Sequence, residues 1–380
     1  MRRLVLVAAT STLAATAQPA RIEAQALKAK GDAQAALQAF ERAAQAEPKA
    51  ADLQDEIGFL LMVLGRRADA LPYFDRALQL NPNYAPALFH RGVALRIAGD
   101  LDRAIADLRK AVAVAPKQQD YRVRLAAMLH DSGLVQPKIE DAKKLYQEAV
   151  QLDPANKDYR NSYGLTLVDL GQAKEGLAQF GAVLKADPQN KAAQVNSGYA
   201  HLQTENYDAA LQAFRKLVAA YPDDAVIHYD LGLALKQKDQ LEAAKAAFQK
   251  SIELNPKVPE THYTLGITFW QNNEAEQTAA AMRSAIALRP DYADAHYMLG
   301  TALKQLNDLD GAAKALESAI QYKPDTPGPY NMLAQIRQRQ GNREAAKQLF
   351  AKAAEVKKKL DESQAQRLGT MMPASALPKR

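Results

Sequence analysis

At 380 residues the chain is long enough for two or three ordinary domains, yet it is 48% hydrophobic and only 7% aromatic, with no Gly-, Ser- or Pro-rich linker. It has no cysteine, which excludes disulfides, thiolate metal sites, cysteine nucleophiles and the acylated anchor of a bacterial lipoprotein. The formal charge of +6 comes from interleaved acidic and basic residues, with Lys357 to Lys359 the densest basic run, so there is no concentrated basic face and no nucleic-acid partner is expected.

The chain opens MRRLVLVAATSTLAATAQPA. Two arginines precede an apolar stretch from Leu4 onward, and Ala15-Thr16-Ala17 places small residues where a signal peptidase would cut. That is the layout of a secretory signal peptide over residues 1–17. Its apolar part is shorter than the roughly 20 residues that span a bilayer. The expectation is export to a bacterial periplasm, with a mature N-terminus at Gln18. Without cleavage the protein would be cytoplasmic or mitochondrial. No other segment reads as membrane-spanning.

A 34-residue ruler then takes over. Pro48, Pro82, Pro116, Pro154, Pro188, Pro222, Pro256, Pro290 and Pro324 are 34 residues apart, apart from one gap of 38. They divide the chain into ten blocks, 17–50, 51–84, 85–118, 119–156, 157–190, 191–224, 225–258, 259–292, 293–326 and 327–360. A glycine recurs early in the block, as Gly58, Gly92, Gly164, Gly198, Gly232, Gly266 and Gly300. Glycine costs about 1 kcal/mol against alanine inside a helix, so its recurrence suggests two backbones packed too closely for a side chain. Twelve residues later stands an alanine, such as Ala36, Ala70 and Ala104. Four further on comes a large apolar group, from Phe40 and Phe74 through Phe248 and Met282 to Phe350. These spacings share one helical face. Each block therefore reads as helix, turn, helix and a stop at the proline, which pushes the residue before it out of helical conformation. The fold class is all-α. Helices of this length, about 20 Å, cannot bury a face alone, so the blocks must stack.

The ruler, glycine, alanine, large apolar residue and proline together resemble tetratricopeptide repeats. In AHYMLGTALKQLNDLDGAAKALESAIQYKP (295–324) the match falls on His296, Leu299, Gly300, Leu303, Ala312, Leu316, Ala319 and Pro324. The resemblance covers all ten blocks. It implies a right-handed α-solenoid of helix pairs whose first helices line a concave groove. Several blocks depart from the pattern. Block one has Ala24 in the glycine place, which puts its first helix in doubt. Block four carries an insertion, LVQPKIED (134–141), with Pro137 expected to open its second helix. Block five has Gly176 and block eight Thr278 in place of the alanine. Block ten lacks the closing proline, so its last helix is expected to run on to residue 368 as an end cap, followed by a disordered tail.

His228, His262 and His296 fall in one register, each followed by a tyrosine. Equivalent helices of adjacent blocks lie about 10 Å apart, which spreads the three over ~20 Å. Metal–nitrogen bonds are about 2 Å long, so no single ion could bind all three, and they read as structural residues packed between helices. The tyrosines that follow have another use. If the first helices line the groove, Tyr229, Tyr263 and Tyr297 face it at ~10 Å intervals, about three residues of an extended peptide. Tyr199, Lys236, Trp270 and Lys304 face the same way, with Gln203, Gln237, Gln271 and Gln305 beside them. The rival reading is that these positions are kept for packing. The N-terminal groove differs, with Asp52, Asp55 and Glu56 in block two and Arg96 in block three.

Two binding schemes of the family are missing. No consecutive blocks carry the lysine–asparagine–arginine clamp for a C-terminal carboxylate. The asparagine ladder of the sugar-transferase members is reduced to Asn196, flanked in equivalent places by Ser162 and Asp230. Enzyme motifs are absent as well, with no HExxH, phosphate-binding glycine loop or GxSxG. No cofactor or metal is expected. The reading is a non-enzymatic protein- or peptide-binding scaffold of the cell envelope. The alternatives are a carbohydrate-binding protein, or the repeat subunit of a glycosyltransferase system with catalysis on another chain.

Overall fold

The computed structural model describes residues 18–132 and 136–371. The signal peptide expected over residues 1–17 lies outside that range. Among the described residues there are 20 helices in stacked pairs and no strand. The N-terminal unit runs to Asn196. Its first helices are α1 (18–29), α3 (Ala51–Val63), α5 (Ala85–Ile97), α7 (Gln119–Asp131) and α9 (Lys157–Asp169). They alternate with second helices α2 (Ala33–Ala46), α4 (Arg67–Leu80), α6 (Leu101–Val114), α8 (Gln136–Leu152) and α10 (Ala173–Ala186). The boundary falls within α11 (Lys191–Gln203). From Ser197 the C-terminal unit continues with second helices α12 (Tyr207–Ala220), α14 (Leu241–Leu254), α16 (Ala275–Leu288), α18 (Leu309–Tyr322) and α20 (Arg343–Met371). Between them stand first helices α13 (Ala225–Gln237), α15 (Pro259–Gln271), α17 (Ala293–Gln305) and α19 (Pro327–Arg339). Each unit is an α-solenoid in which a first helix packs on its own second helix, and that second helix on the next first helix.

The sharp ends of these helices follow from local chemistry. The residues before the prolines have left the helical conformation, with φ of −125° at Glu47, −140° at Asn81, −148° at Asp187 and −144° at Lys323, as a following proline favours. Between the two helices of a pair, one residue takes the left-handed conformation. It is glycine at Gly31, Gly65, Gly99 and Gly171, and again at Gly341, but Glu205, Asp239, Asn273 and Asn307 at the other turns of the C-terminal unit, with φ between 57° and 64°. The backbone bonds around it, such as Asn206 N–H to His201 O at 2.9 Å, close the first helix in a Schellman turn. Asp32, Asp100, Asn206 and Asp308 then cap the second helix through the backbone N–H three residues on.

The core repeats with the ruler. Phe74, Phe180, Phe214 and Phe248 are fully buried, with Ala70, Ala210 and Ala244 beside them. Each large side chain seats on the glycine sixteen residues before it. A Cβ on Gly232 would come within 2.5 Å of the Phe248 ring, one on Gly58 within 2.6 Å of Phe74, and one on Gly266 within 2.6 Å of the Met282 methyl. The recurring glycine thus makes room chiefly for a side chain, not for a neighbouring backbone, which corrects the expectation above. Direct backbone approach is found at Gly176, where a Cβ would lie 2.7 Å from the Gly164 carbonyl oxygen. This explains why block five departs from alanine there. Three further positions answer open questions. The first helix of block one is formed, with Ala24 buried in the core. α8 opens at Gln136, one residue before Pro137. Phe350 breaks the series, since it is 39% exposed and Leu349 packs inward instead, while Ala334 occupies the glycine place. α20 continues to Met371, so the first residues of the tail expected to be disordered are helical, and 372–380 lie outside the described range.

Candidate functional site

Successive first helices touch one another within the C-terminal unit, α15 with α17 and α17 with α19. The predicted tyrosines lie along this wall and are half-buried. Tyr229 packs its ring on Phe248 (centroids 5.6 Å apart) and sets its hydroxyl 3.2 Å from Thr264 Oγ1 on α15. Tyr263 packs against Tyr292, centroids 5.0 Å apart, and burial together with the Asp294 charge pushes its phenol up. The Tyr297 hydroxyl lies over Gly328 at the start of α19, where a Cβ would meet it at 3.0 Å. Trp270 is half-buried against the cluster that holds Leu303 and Leu316. Each ring therefore grips its neighbours and leaves part of itself uncovered. Tyr199 is half-buried as well. Gln203, Gln237 and Gln271 are exposed. Lys304 donates to Gln335 Oε1 at 2.6 Å and Gln305 to Asn273 Oδ1 at 2.9 Å. Lys236 is half-buried, and burial lowers its pKa.

The histidines have a specific structural task. His228, His262 and His296 bond through Nε2 to the carbonyl oxygens of Pro222, Pro256 and Pro290, at 2.8, 3.0 and 2.9 Å. A carbonyl can only accept, so Nε2 carries the proton. The same fourth place of other blocks does the same work with other residues. Arg122, Arg160, Gln194 and Tyr330 donate to the carbonyls of Pro116, Pro154, Pro188 and Pro324. The side chain clasps the turn that delivers the chain into its helix. Among the described residues no group of histidine, aspartate and glutamate could hold a metal ion.

The N-terminal unit is less acidic in effect than its sequence suggests. Asp52 is paired with Arg21 at 2.5 Å, Glu56 with Lys28 at 2.6 Å and Asp55 with His90 at 2.8 Å. Arg96 is paired with Asp131 at 2.6 Å. Between α5 and α7 the inner wall opens into a cavity of about 450 Å³ lined by Phe89, His90, Asp120, Tyr121, Val123, Arg124 and Ala127. Phe89 and Tyr121 stack there, centroids 4.6 Å apart and planes 23° from parallel. Sequence reasoning missed this site. Phe89 holds the same block position as Tyr229, which was a usable signal, but Tyr121 and Arg124 lie off the tyrosine register. Three further clefts recur along the unit. Their linings, Glu41, Pro48, Tyr73 and Arg76 in one, Asp75, Pro82, Asp107 and Lys110 in the next, and Arg109, Leu125, Leu145 and Glu148 in the third, step by one repeat. They are a by-product of stacking.

A model of the tetratricopeptide repeat matches residues 57–122, 164–225, 198–259, 229–292 and 263–329, and a second model of the same repeat matches 328–360. The chain is similar to the FK506-binding protein-like protein of Rattus norvegicus, 36% identical over 95 residues, 25% of this chain and 26% of that protein. BBSome complex member BBS4 of Bos taurus is 23% identical over 163 residues, 43% of this chain and 30% of that one. The chain thus spans about a quarter to a third of the length of these relatives. Among solved structures, YrrB, described as a TPR protein with an unusual peptide-binding site, is 26% identical with a TM-score of 0.45, over 53% of this chain and 97% of that one. MamA is 27% identical with a TM-score of 0.42, over 43% and 96%. With models of this repeat matching well over half of the chain, block after block, the protein belongs to the tetratricopeptide-repeat family.

Proposed function

We propose that this protein is a non-enzymatic scaffold that binds an extended segment of a protein or peptide partner along the inner faces of its first helices. The observation that carries this reading is the wall of half-covered rings at one-repeat spacing, Tyr229, Tyr263 and Tyr297, with Trp270 among them and the exposed amides of Gln237 and Gln271 beside them. Rings already held at one edge offer contact area with little rotamer freedom left to lose, and amides can pair with a peptide backbone. The Phe89–Tyr121 cavity offers similar chemistry in the N-terminal unit. We place this activity in the cell envelope on the layout of residues 1–17, whose cleavage would leave Gln18 first in an intact-mass measurement from the native host. Retained Met1 in a cytosolic protein would remove that part of the reading.

Peptides selected on the full chain from a random display library test the binding surface. The Tyr263→Ala, Trp270→Ala pair is expected to weaken a selected peptide at least tenfold with the helical CD spectrum kept, because binding energy concentrates in a few such aromatics. A peptide indifferent both to this pair and to the Phe89→Ala, Tyr121→Ala pair binds elsewhere, and the inner-face reading then fails.

A further inference from the structure

Charges placed on the inner wall of the N-terminal unit are matched or solvated. At the sixth place of their blocks, Glu56 meets Lys28 and Arg124 stands exposed to water, while the His90 ring shares a hydrogen bond with Asp55. The sixth place of α13 is Asp230, and it is treated differently. It is half-buried, and no described residue gives it a hydrogen bond or an ion pair. Burial, with the Asp224 charge at the head of the same helix, pushes its carboxyl up to about 7.

Among the described residues no lysine, arginine or histidine is paired with Asp230. Lys236 is the one lysine of α13 and lies six residues on, which is ~9 Å along the helix axis and about a third of a turn around it. Burial lowers the Lys236 ammonium, and no carboxylate counters that effect. α15 contains neither lysine nor arginine. What lies next along the wall is aromatic and hydroxylic: the adjacent Tyr229 reaches Thr264, the sixth-place residue of α15. A carboxylate left unpaired at this depth is unfavourable, and a cation brought to it recovers that cost. Neighbouring ring faces favour the same guest, since ammonium and guanidinium groups are drawn to them.

We propose that Asp230 is the receptor for a guanidinium or ammonium group of the bound segment, so that the partner is basic where it crosses α13. This rests on the scaffold reading above and adds the chemistry of one ligand position. The test uses the full chain and the peptides that the wild-type protein selects from a random twelve-residue library. Each peptide is remade with citrulline for arginine, with norleucine for lysine, and with an acetylated N-terminus. The selected peptides are expected to share a basic group whose neutralisation lowers wild-type affinity at least tenfold. Asp230→Asn should lose the same factor and become indifferent to the neutralised peptides, while Asp230→Glu keeps most of the binding. Loss on acetylation alone supports the proposal with the peptide's terminal ammonium as the guest. Peptides that bind through the aromatic wall but equally well to Asp230→Asn overturn this inference and leave the scaffold standing. If the wild-type protein selects no peptide at all, the scaffold reading falls and this proposal with it.

Discussion

The turn clasp shows how one position can be filled by unlike residues when only a donor is needed. Histidine, arginine, glutamine and tyrosine all reach a proline carbonyl six residues back. His262→Leu should therefore cost about 1 kcal/mol in a urea melt, while His262→Gln, which places at α15 the residue that works at Gln194, should cost less than half as much. Asp230 gives a pH-dependent prediction. Its folded carboxyl is held near 7 against 3.8 when unfolded, so as pH rises the unfolded state gives up the proton first, and the contribution of Asp230 to stability declines between about pH 4 and 7. Asp230→Asn should match wild type near pH 4 and exceed it by about 1–2 kcal/mol at pH 8, after allowance for the group's partial exposure. Thermal melts at the two pH values check both statements. That three aligned histidines are too far apart for one ion was legible from spacing. Their acceptor was not, because the clasp is defined by geometry across a turn, and four residue types satisfy it.

At the scale of the helix, the repeating glycine and the large side chain that follows it form one unit of packing. Gly232→Leu drives a side chain into the space of the Phe248 ring and should cost roughly 1–3 kcal/mol by denaturant unfolding. The spacing of these residues made the helix pairs and their boundaries readable, and the proline rule placed the stops. It did not reveal what the glycine faces, since a missing side chain is equally consistent with a close backbone and a close ring. The turn within each pair is a second element-level feature. Glu205 holds a left-handed conformation that most of the N-terminal turns give to glycine. Glu205→Gly should stabilise the C-terminal unit by about 1 kcal/mol, and Asn273→Gly by less, because asparagine tolerates this conformation better. Melts of the two variants side by side check the ranking.

In a molecule built of stacked pairs, stability passes between neighbours and ends need covering. α20 covers one end of the stack by closing Ala353 and Val356 over Tyr330. Truncation after Lys352 should uncover Tyr330 and Leu349, so that hydrogen exchange speeds up in α19 and α17 while α3 and α5 keep their protection. The architecture and this cap were foreseeable from a period that spans the chain. The candidate surface was only half foreseeable. The tyrosine register led to Tyr229, Tyr263 and Tyr297, but not to their grip on the following helices. The apparent acidity of Asp52 and Glu56 is met by Arg21 and Lys28 opposite them, and Asp55 is hydrogen-bonded to the His90 ring. Pairing partners a full repeat away cannot be assigned from a sequence whose lysines and arginines are spread evenly.

The clasps also make the protein unusually easy to watch. Each of His228, His262 and His296 has its Nε2 proton held by one carbonyl in one turn, so its imidazole nitrogen-15 resonances report whether that turn is closed. The three rings sit one residue before Tyr229, Tyr263 and Tyr297. Isotope labelling of histidine would report on six rings, three of them, His228, His262 and His296, native reporters spaced along the wall. As a guest is titrated in, the order in which they shift would trace its footprint, helix by helix.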